Sequence, residues 1–151
     1  MQLTDLLHPD RVRVPLQAAD KSGVLKELST LLADRAGAPV DDVLQAVEER
    51  ESVLSTGIGL GVAVPHGKSS AVRHLEMVCG TTPLGLEFDA LDGEACRLFF
   101  CLVGPESSAG DHVKALSRIA RVVRRDEVRA RLLTATTPES FIQTLVDAEL
   151  R

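Results

Sequence analysis

Glu51 to Gly67 reads ESVLSTGIGLGVAVPHG. Glycine recurs at every second position in its middle. In an extended chain Gly57, Gly59, Gly61 and Ala63 share one side, and Ile58, Leu60, Val62 and Val64 the other, because side chains alternate faces along a strand. The spacing therefore predicts a strand with a bare face and an apolar face. The apolar face joins a core, and the bare face lets another backbone or a ligand come close. Pro65 stops the strand, since proline fixes its own backbone and restricts the residue before it. His66 is then presented on a rigid mount at a sheet edge, with flexible Gly67 behind it.

Upstream of this stretch, RVRVPLQ puts Val12, Val14 and Leu16 on one face of a half-buried strand, and Pro15 argues for an edge position. Leu3 to Leu7 suits a short helical turn ending at Pro9. Asp20 or Ser22 can cap a helix whose apolar residues Val24, Leu25, Leu28, Leu31 and Leu32 recur at helical spacing. Gly37 and Pro39 break it. A second helix, with Val40, Val43, Leu44 and Val47 inward, ends near Arg50.

Downstream, LEMVCGT from Leu75 reads as a strand that Pro83 interrupts, and Asp92-Gly93 signals a turn. ACRLFFCLV, Ala95 to Val103, is almost continuously apolar and fits a central strand buried on both faces. Ser108 and Asp111 have capping-box spacing, ahead of a helix with Leu116, Ile119 and Val123 inward. Asp126 can cap a short helix carrying Val128, Leu132 and Leu133. Thr137-Pro138-Glu139 starts a last helix with Phe141, Ile142, Leu145 and Val146 on its apolar face. Strands and helices are mixed throughout and no linker or repeat intervenes. The expectation is one α/β domain over residues 1–151, a sandwich with a mixed central sheet flanked by helices.

The 151 residues suit one core, and 44% hydrophobic with 26% charged residues marks a globular chain. A net charge of −5 argues against nucleic acid as a partner. The absence of Trp and Tyr, with four Phe, argues against a stacking platform for bases or sugar rings. No apolar run reaches the roughly 20 residues that span a bilayer. MQLTDLLHPD lacks a basic segment followed by an apolar one, so the expected location is the cytoplasm, without membrane insertion. Cys79, Cys96 and Cys101 lie in apolar stretches and read as reduced core thiols.

Several motifs fail on spacing. GVAVPHGKS, Gly61 to Ser69, resembles a phosphate loop, but five residues instead of four separate Gly61 from Gly67, and Pro65 removes an amide donor. The dinucleotide fingerprint fails because Val62 and Val64 stand where glycine is required. There is no CxxC, HExxH or GxSxG, so neither a zinc site nor a hydrolase elbow is indicated, and no cofactor is implied.

What remains is His66 and its possible helpers. A lone histidine after a strand is most often a satisfied loop residue. His112, however, continues the inward stripe of its helix, four residues before Leu116 and seven before Ile119. It also sits at a helix start, where amide hydrogens attract anions; a bond to a loop carbonyl is the equally available alternative. Arg50 either offsets a helix dipole or clamps an anionic oxygen. Two histidines, an arginine and no acid of obvious role point to phosphoryl rather than acyl chemistry. A neutral imidazole, of ordinary pKa about 6.5, is a competent nucleophile at pH 7, and phosphoryl transfer needs mainly positioning and charge neutralisation. His8 and His74 read as solvated.

With these residues in place, the chain resembles the IIA domain of the fructose/mannitol class of the bacterial phosphoenolpyruvate-dependent phosphotransferase system, which includes nitrogen-regulatory IIA proteins. The family signature is filled by Glu51, Ile58, Gly59, Val62, Ala63, Val64, Pro65, His66 and Gly67, and the likeness runs from the first helix to the last. The resemblance implies the mannitol-type IIA fold. It implies that His66 receives a phosphoryl group, as tele-phosphohistidine, from the carrier protein HPr. Arg50 and His112 match its active-site arginine and second histidine, and Thr56 and Gly67 are candidate phosphate-binding positions. Leu60 departs from the family, where Asn or another polar residue is common. With no IIB, IIC or HPr module present, the resemblance leans to a stand-alone regulatory protein. A sugar-permease subunit that passes phosphate to IIB is one alternative, and an unphosphorylated binding module on the same fold is another.

Overall fold

The computed structural model describes residues 1–151. Its spine is β6, Cys96–Gly104. The strand has no polar residue but Arg97, so both of its faces must be covered. Leu98, Phe100 and Leu102 enter one apolar cluster. Phe99, Cys101 and Val103 enter another on the opposite face. Each fully buried Phe or Leu contributes about 1.5–3 kcal/mol, which makes β6 the element the two layers share. β5, Glu76–Leu86, pairs antiparallel with it. β1, Val12–Arg13, pairs parallel with β5 at the sheet edge.

Helices cover both faces. α1, Lys21–Ala36, and α2, Val40–Val53, supply Val24, Leu28, Leu32, Val43 and Val47 to one cluster. α3, Ala109–Val123, α4, Asp126–Thr134, and α5, Pro138–Glu149, supply Ile119, Leu132, Phe141 and Leu145 to the other. The expected α/β sandwich with a mixed sheet is what forms. Asp20 is the cap of α1, its Oδ1 accepting from the Gly23 amide at 2.7 Å. Thr137 caps α5 through Ser140, with Pro138 at the first helical position. No helix is long and apolar enough to cross a membrane.

The glycine-rich stretch differs from expectation. It is not one strand but β2, Gly57–Gly59, β3, Val62–Ala63, and β4, His66–Lys68. β2 and β3 form an antiparallel hairpin whose two-residue turn is Leu60-Gly61. Both turn residues have positive φ, 60° and 76°, as a type I′ hairpin requires. Alternating glycines thus serve a reversal of the chain. Ile58 and Leu60 are exposed rather than on a core face, while Val62 and Val64 do join a core. Leu60 is a strained choice for this turn: Asn-Gly is the favoured type I′ pair, and leucine rarely adopts positive φ.

Other expectations shift locally. Val12 and Leu16 enter opposite clusters, because the chain turns between them at Pro15. Pro83 does not end β5; the strand continues to Leu86 with a register irregularity between Thr81 and Leu86, which accommodates a residue lacking an amide hydrogen. Ser108 makes no side-chain cap, because Glu106–Ser108 is a 3-10 turn running straight into α3 and a cap needs extended backbone. Asp126 is the first residue of α4 rather than its cap, and bonds Arg129 instead. Cys79, Cys96 and Cys101 are buried free thiols.

Candidate functional site

β3 and β4 lie end to end along β6, both parallel to it. Val62 and Ala63 pair with Leu98 and Phe99, and His66 to Lys68 with Leu102 to Gly104. Pro65 separates the two segments, and its carbonyl accepts from the Leu102 amide at 3.0 Å. His66 therefore opens a short strand whose one hydrogen-bonded neighbour is the spine, so it stands at a sheet edge as expected.

A cavity of about 380 Å³ is lined by Ala46, Glu49, Arg50, His66, Gly67, Lys68 and His112. Three elements build it: the last turns of α2, strand β4, and the first turn of α3. Of the five candidate residues, Arg50, His66, Gly67 and His112 come together here. Thr56 does not. It is buried, and both its amide and its hydroxyl bond the carboxylate of Glu51. Thr56, expected at a phosphate-binding position, lies outside this lining, with its amide and hydroxyl both engaged by Glu51.

Gly67 touches the cavity for a packing reason. A Cβ there would lie 2.6 Å from the carbonyl oxygen of Ala46, so only glycine lets β4 sit this close to α2. That contact brings Arg50, one helical turn beyond Ala46, beside His66. Arg50 donates from Nη1 to the Leu54 carbonyl at 2.7 Å, one of its five donors.

His66 Nδ1 lies 2.8 Å from the Val64 carbonyl oxygen. A carbonyl only accepts, so Nδ1 carries the hydrogen, and in the neutral ring Nε2 keeps its lone pair. Burial pushes the His66 imidazole below its ordinary value of 6.5; the Val64 bond opposes this and the charge of Arg50 adds to it. The ring is neutral at pH 7.

His112 packs edge-on to His66, ring centroids 5.2 Å apart at 66°. It is 5% exposed and its Nε2 is buried without a hydrogen-bond partner. Burial pushes its pKa down to about 4, helped by the neighbouring His66 and Lys68. An unpaired buried polar group costs about 1–3 kcal/mol, so this nitrogen is a standing demand for a partner.

Lys68 escaped the sequence reading, and Glu51 entered it only as a signature position with no role assigned. Lys68 lines the cavity two residues beyond His66; the period of two that places both on one side of a strand is the signal that identifies it. Glu51 is buried at the end of α2, its Oε2 3.0 Å from Lys21 Nζ. It ties α1, α2 and the loop before β2 together. No local pattern announces a contact between residues 21, 51 and 56. No group of three or more His, Cys, Asp or Glu side chains is placed to hold a metal ion.

An α/β sandwich whose helix ends and one short strand surround two neutral histidines with cations defines a class of group-transfer proteins more narrowly than either feature alone. Residues 5–148 match the family described as phosphoenolpyruvate-dependent sugar phosphotransferase system, EIIA 2. The chain belongs to this family and is a phosphotransferase component of that system. It is 33% identical over 147 residues to the fructose-specific EIIABC component of Bacillus subtilis, covering 96% of this chain but 23% of that protein. It is 30% identical over 145 residues to a nitrogen regulatory protein of Bradyrhizobium diazoefficiens, covering 96% of this chain and 95% of that one. Nitrogen regulatory protein IIA-Ntr from Neisseria meningitidis has the same fold, at TM-score 0.89 and 29% identity over 95% of this chain and 98% of that one.

Proposed function

We propose that this chain is a phosphoryl carrier that accepts a phosphoryl group on Nε2 of His66 from the phosphohistidine of an HPr-like protein. The observation that carries the reading is the Nδ1 bond to Val64 at 2.8 Å. It leaves the lone pair on Nε2 of a ring that lines a cavity together with Arg50, Lys68 and His112.

In the transfer, the Nε2 lone pair forms the new N–P bond while the partner's N–P bond breaks, and that electron pair returns to the partner's ring nitrogen. The proton on Nδ1 stays where it is. The His66 ring becomes cationic as it is phosphorylated, and the Val64 carbonyl stabilises that cation. Arg50 offers a guanidinium to the moving oxygens. His112 offers its unpartnered Nε2 as a donor that the phosphoryl group satisfies. The group then serves as a regulatory mark or moves on to a IIB thiol. Similarity along 95% of a nitrogen regulatory protein favours the regulatory use. Similarity to a fructose-specific component keeps the sugar-permease use as the second reading.

The test is incubation with phosphoenolpyruvate, enzyme I and HPr. Wild type is expected to gain one acid-labile phosphate with the NMR signature of an Nε2-phosphohistidine, and His66→Ala none. Phosphate that persists in His66→Ala overturns the assignment. Subsequent addition of a IIB domain separates the two uses, since only a permease subunit passes the group to its thiol.

A further inference from the structure

We propose that Lys68 is a further phosphate-binding residue of this site, held on Glu106 until His66 carries the phosphoryl group. The proposal rests on the reading of His66 as the acceptor.

The first argument is charge. The cavity lining holds three charged side chains, Arg50, Lys68 and Glu49. A phosphoryl group brings about −1.5 to −2. Arg50 and Glu49 offset one another, so without Lys68 the lining has no net positive charge to meet it. The second argument is placement. His66 and Lys68 are two apart in β4, on the side opposite Gly67, which is turned against α2. The strand is fixed in register on β6, with His66 opposite Leu102 and Lys68 opposite Gly104. Side chains two apart on a rigid strand are neighbours without any rearrangement of the backbone.

The third argument concerns where Lys68 rests. Its Nζ lies 3.3 Å from Glu106 Oε2, and the two side chains are 43% and 82% exposed. Such a pair is weak and is readily given up for a doubly charged neighbour. Glu106 begins the 3-10 turn that leads into α3 and does not line the cavity. Phosphorylation would therefore do two things at once. It draws the ammonium inward, and it leaves a free carboxylate on the rim beside the α3 start. A partner that reads the phosphorylated state meets a change in rim charge as well as the phosphoryl group itself.

The experiment compares wild type, Lys68→Gln and Glu106→Gln in equilibrium with phosphorylated HPr, measuring the phosphorylated fraction and the hydrolysis rate of the phosphohistidine. A phosphate-binding Lys68 gives effects of opposite sign. Lys68→Gln lowers the transfer equilibrium constant by about tenfold, the scale of one charge-assisted bond. Glu106→Gln raises it by about twofold, as Lys68 is released from a weak exposed pair. If Lys68 serves only as the partner of Glu106, the two variants move together or not at all, and the proposal is overturned. The double variant then discriminates further: Glu106→Gln must have no effect once Lys68 is absent. A wild type that accepts no phosphoryl group fails differently, because it removes the acceptor reading itself and this inference with it.

Discussion

His66 and His112 face each other at 5.2 Å, yet they are mounted in opposite ways. His66 stands on a three-residue strand, with one ring nitrogen bonded to its own backbone at Val64. His112 stands in the first turn of a fifteen-residue helix and is more deeply buried, and its Nε2 has no partner. The first histidine is oriented by a bond it already has. The second is held by packing and lacks a bond. A nucleophile must have a fixed tautomer before the reaction, whereas a stabilising donor contributes most if its partner arrives only with the reacting group. The same side chain thus fills two roles because its surroundings satisfy it to different degrees.

That comparison breaks most clearly with pH. Folded His112 titrates at about 4 rather than 6.5. Its contribution to stability is fully present above the unfolded value of about 6.5 and is lost as pH falls through the folded value, because the unfolded chain binds the proton first. The loss attributable to this group between pH 7 and 4 is about 3 kcal/mol. Urea denaturation of wild type and His112→Ala across that range measures it as the difference between the two slopes. Phosphoryl uptake by His112→Ala should persist while onward transfer slows by roughly tenfold to a hundredfold, the scale of one hydrogen bond to a charged group. Parallel pH slopes would show that the burial of His112 costs nothing, and the contrast with His66 would lose its basis.

A smaller effect sharpens the role of the mount. Gly67→Ala drives a methyl into the Ala46 carbonyl, 2.6 Å away, and neither backbone can yield without moving α2 off β4. The expected cost is about 2 kcal/mol, read as a fall in the urea midpoint. Reduced phosphoryl uptake should accompany it, because Arg50 retreats with α2. Lost uptake at unchanged stability would instead mark Gly67 as a direct phosphate contact.

The layers of the fold were legible because they rest on period. Leu28 and Leu32, or Phe141 and Leu145, recur at helical spacing, and Ala95 to Val103 is too apolar to face water on either side. The histidine pair was legible through motif and stripe, and Arg50 through its place before the signature. The hairpin at Leu60-Gly61 was not. Alternating glycines have the period of a strand, and the feature that distinguishes a type I′ turn is the sign of φ, which leucine does not advertise. Lys68 lay in plain view two residues past His66, but its relevance depends on β4 being a strand separate from β3. The Glu51–Lys21–Thr56 contact joins three elements and has no local signature at all.

Thr56 gives the smallest and most discriminating test, because sequence and structure assign it to different places. Its hydroxyl bonds Glu51 Oε1, and the same carboxylate keeps the Thr56 amide at 3.0 Å and Lys21 at 3.0 Å. Thr56→Val preserves shape and removes one donor of three, so Glu51 remains largely satisfied and the expected loss is about 1 kcal/mol. Phosphoryl uptake at His66 should be unchanged, since the hydroxyl lies outside the cavity lining. Stability from urea denaturation and the uptake rate from phosphorylated HPr must be measured on the same preparation. A variant of unaltered stability that takes up phosphate slowly would return Thr56 to the site. It would also require the Glu51 bond to open during transfer, which would make the loop before β2 part of the mechanism rather than part of its frame.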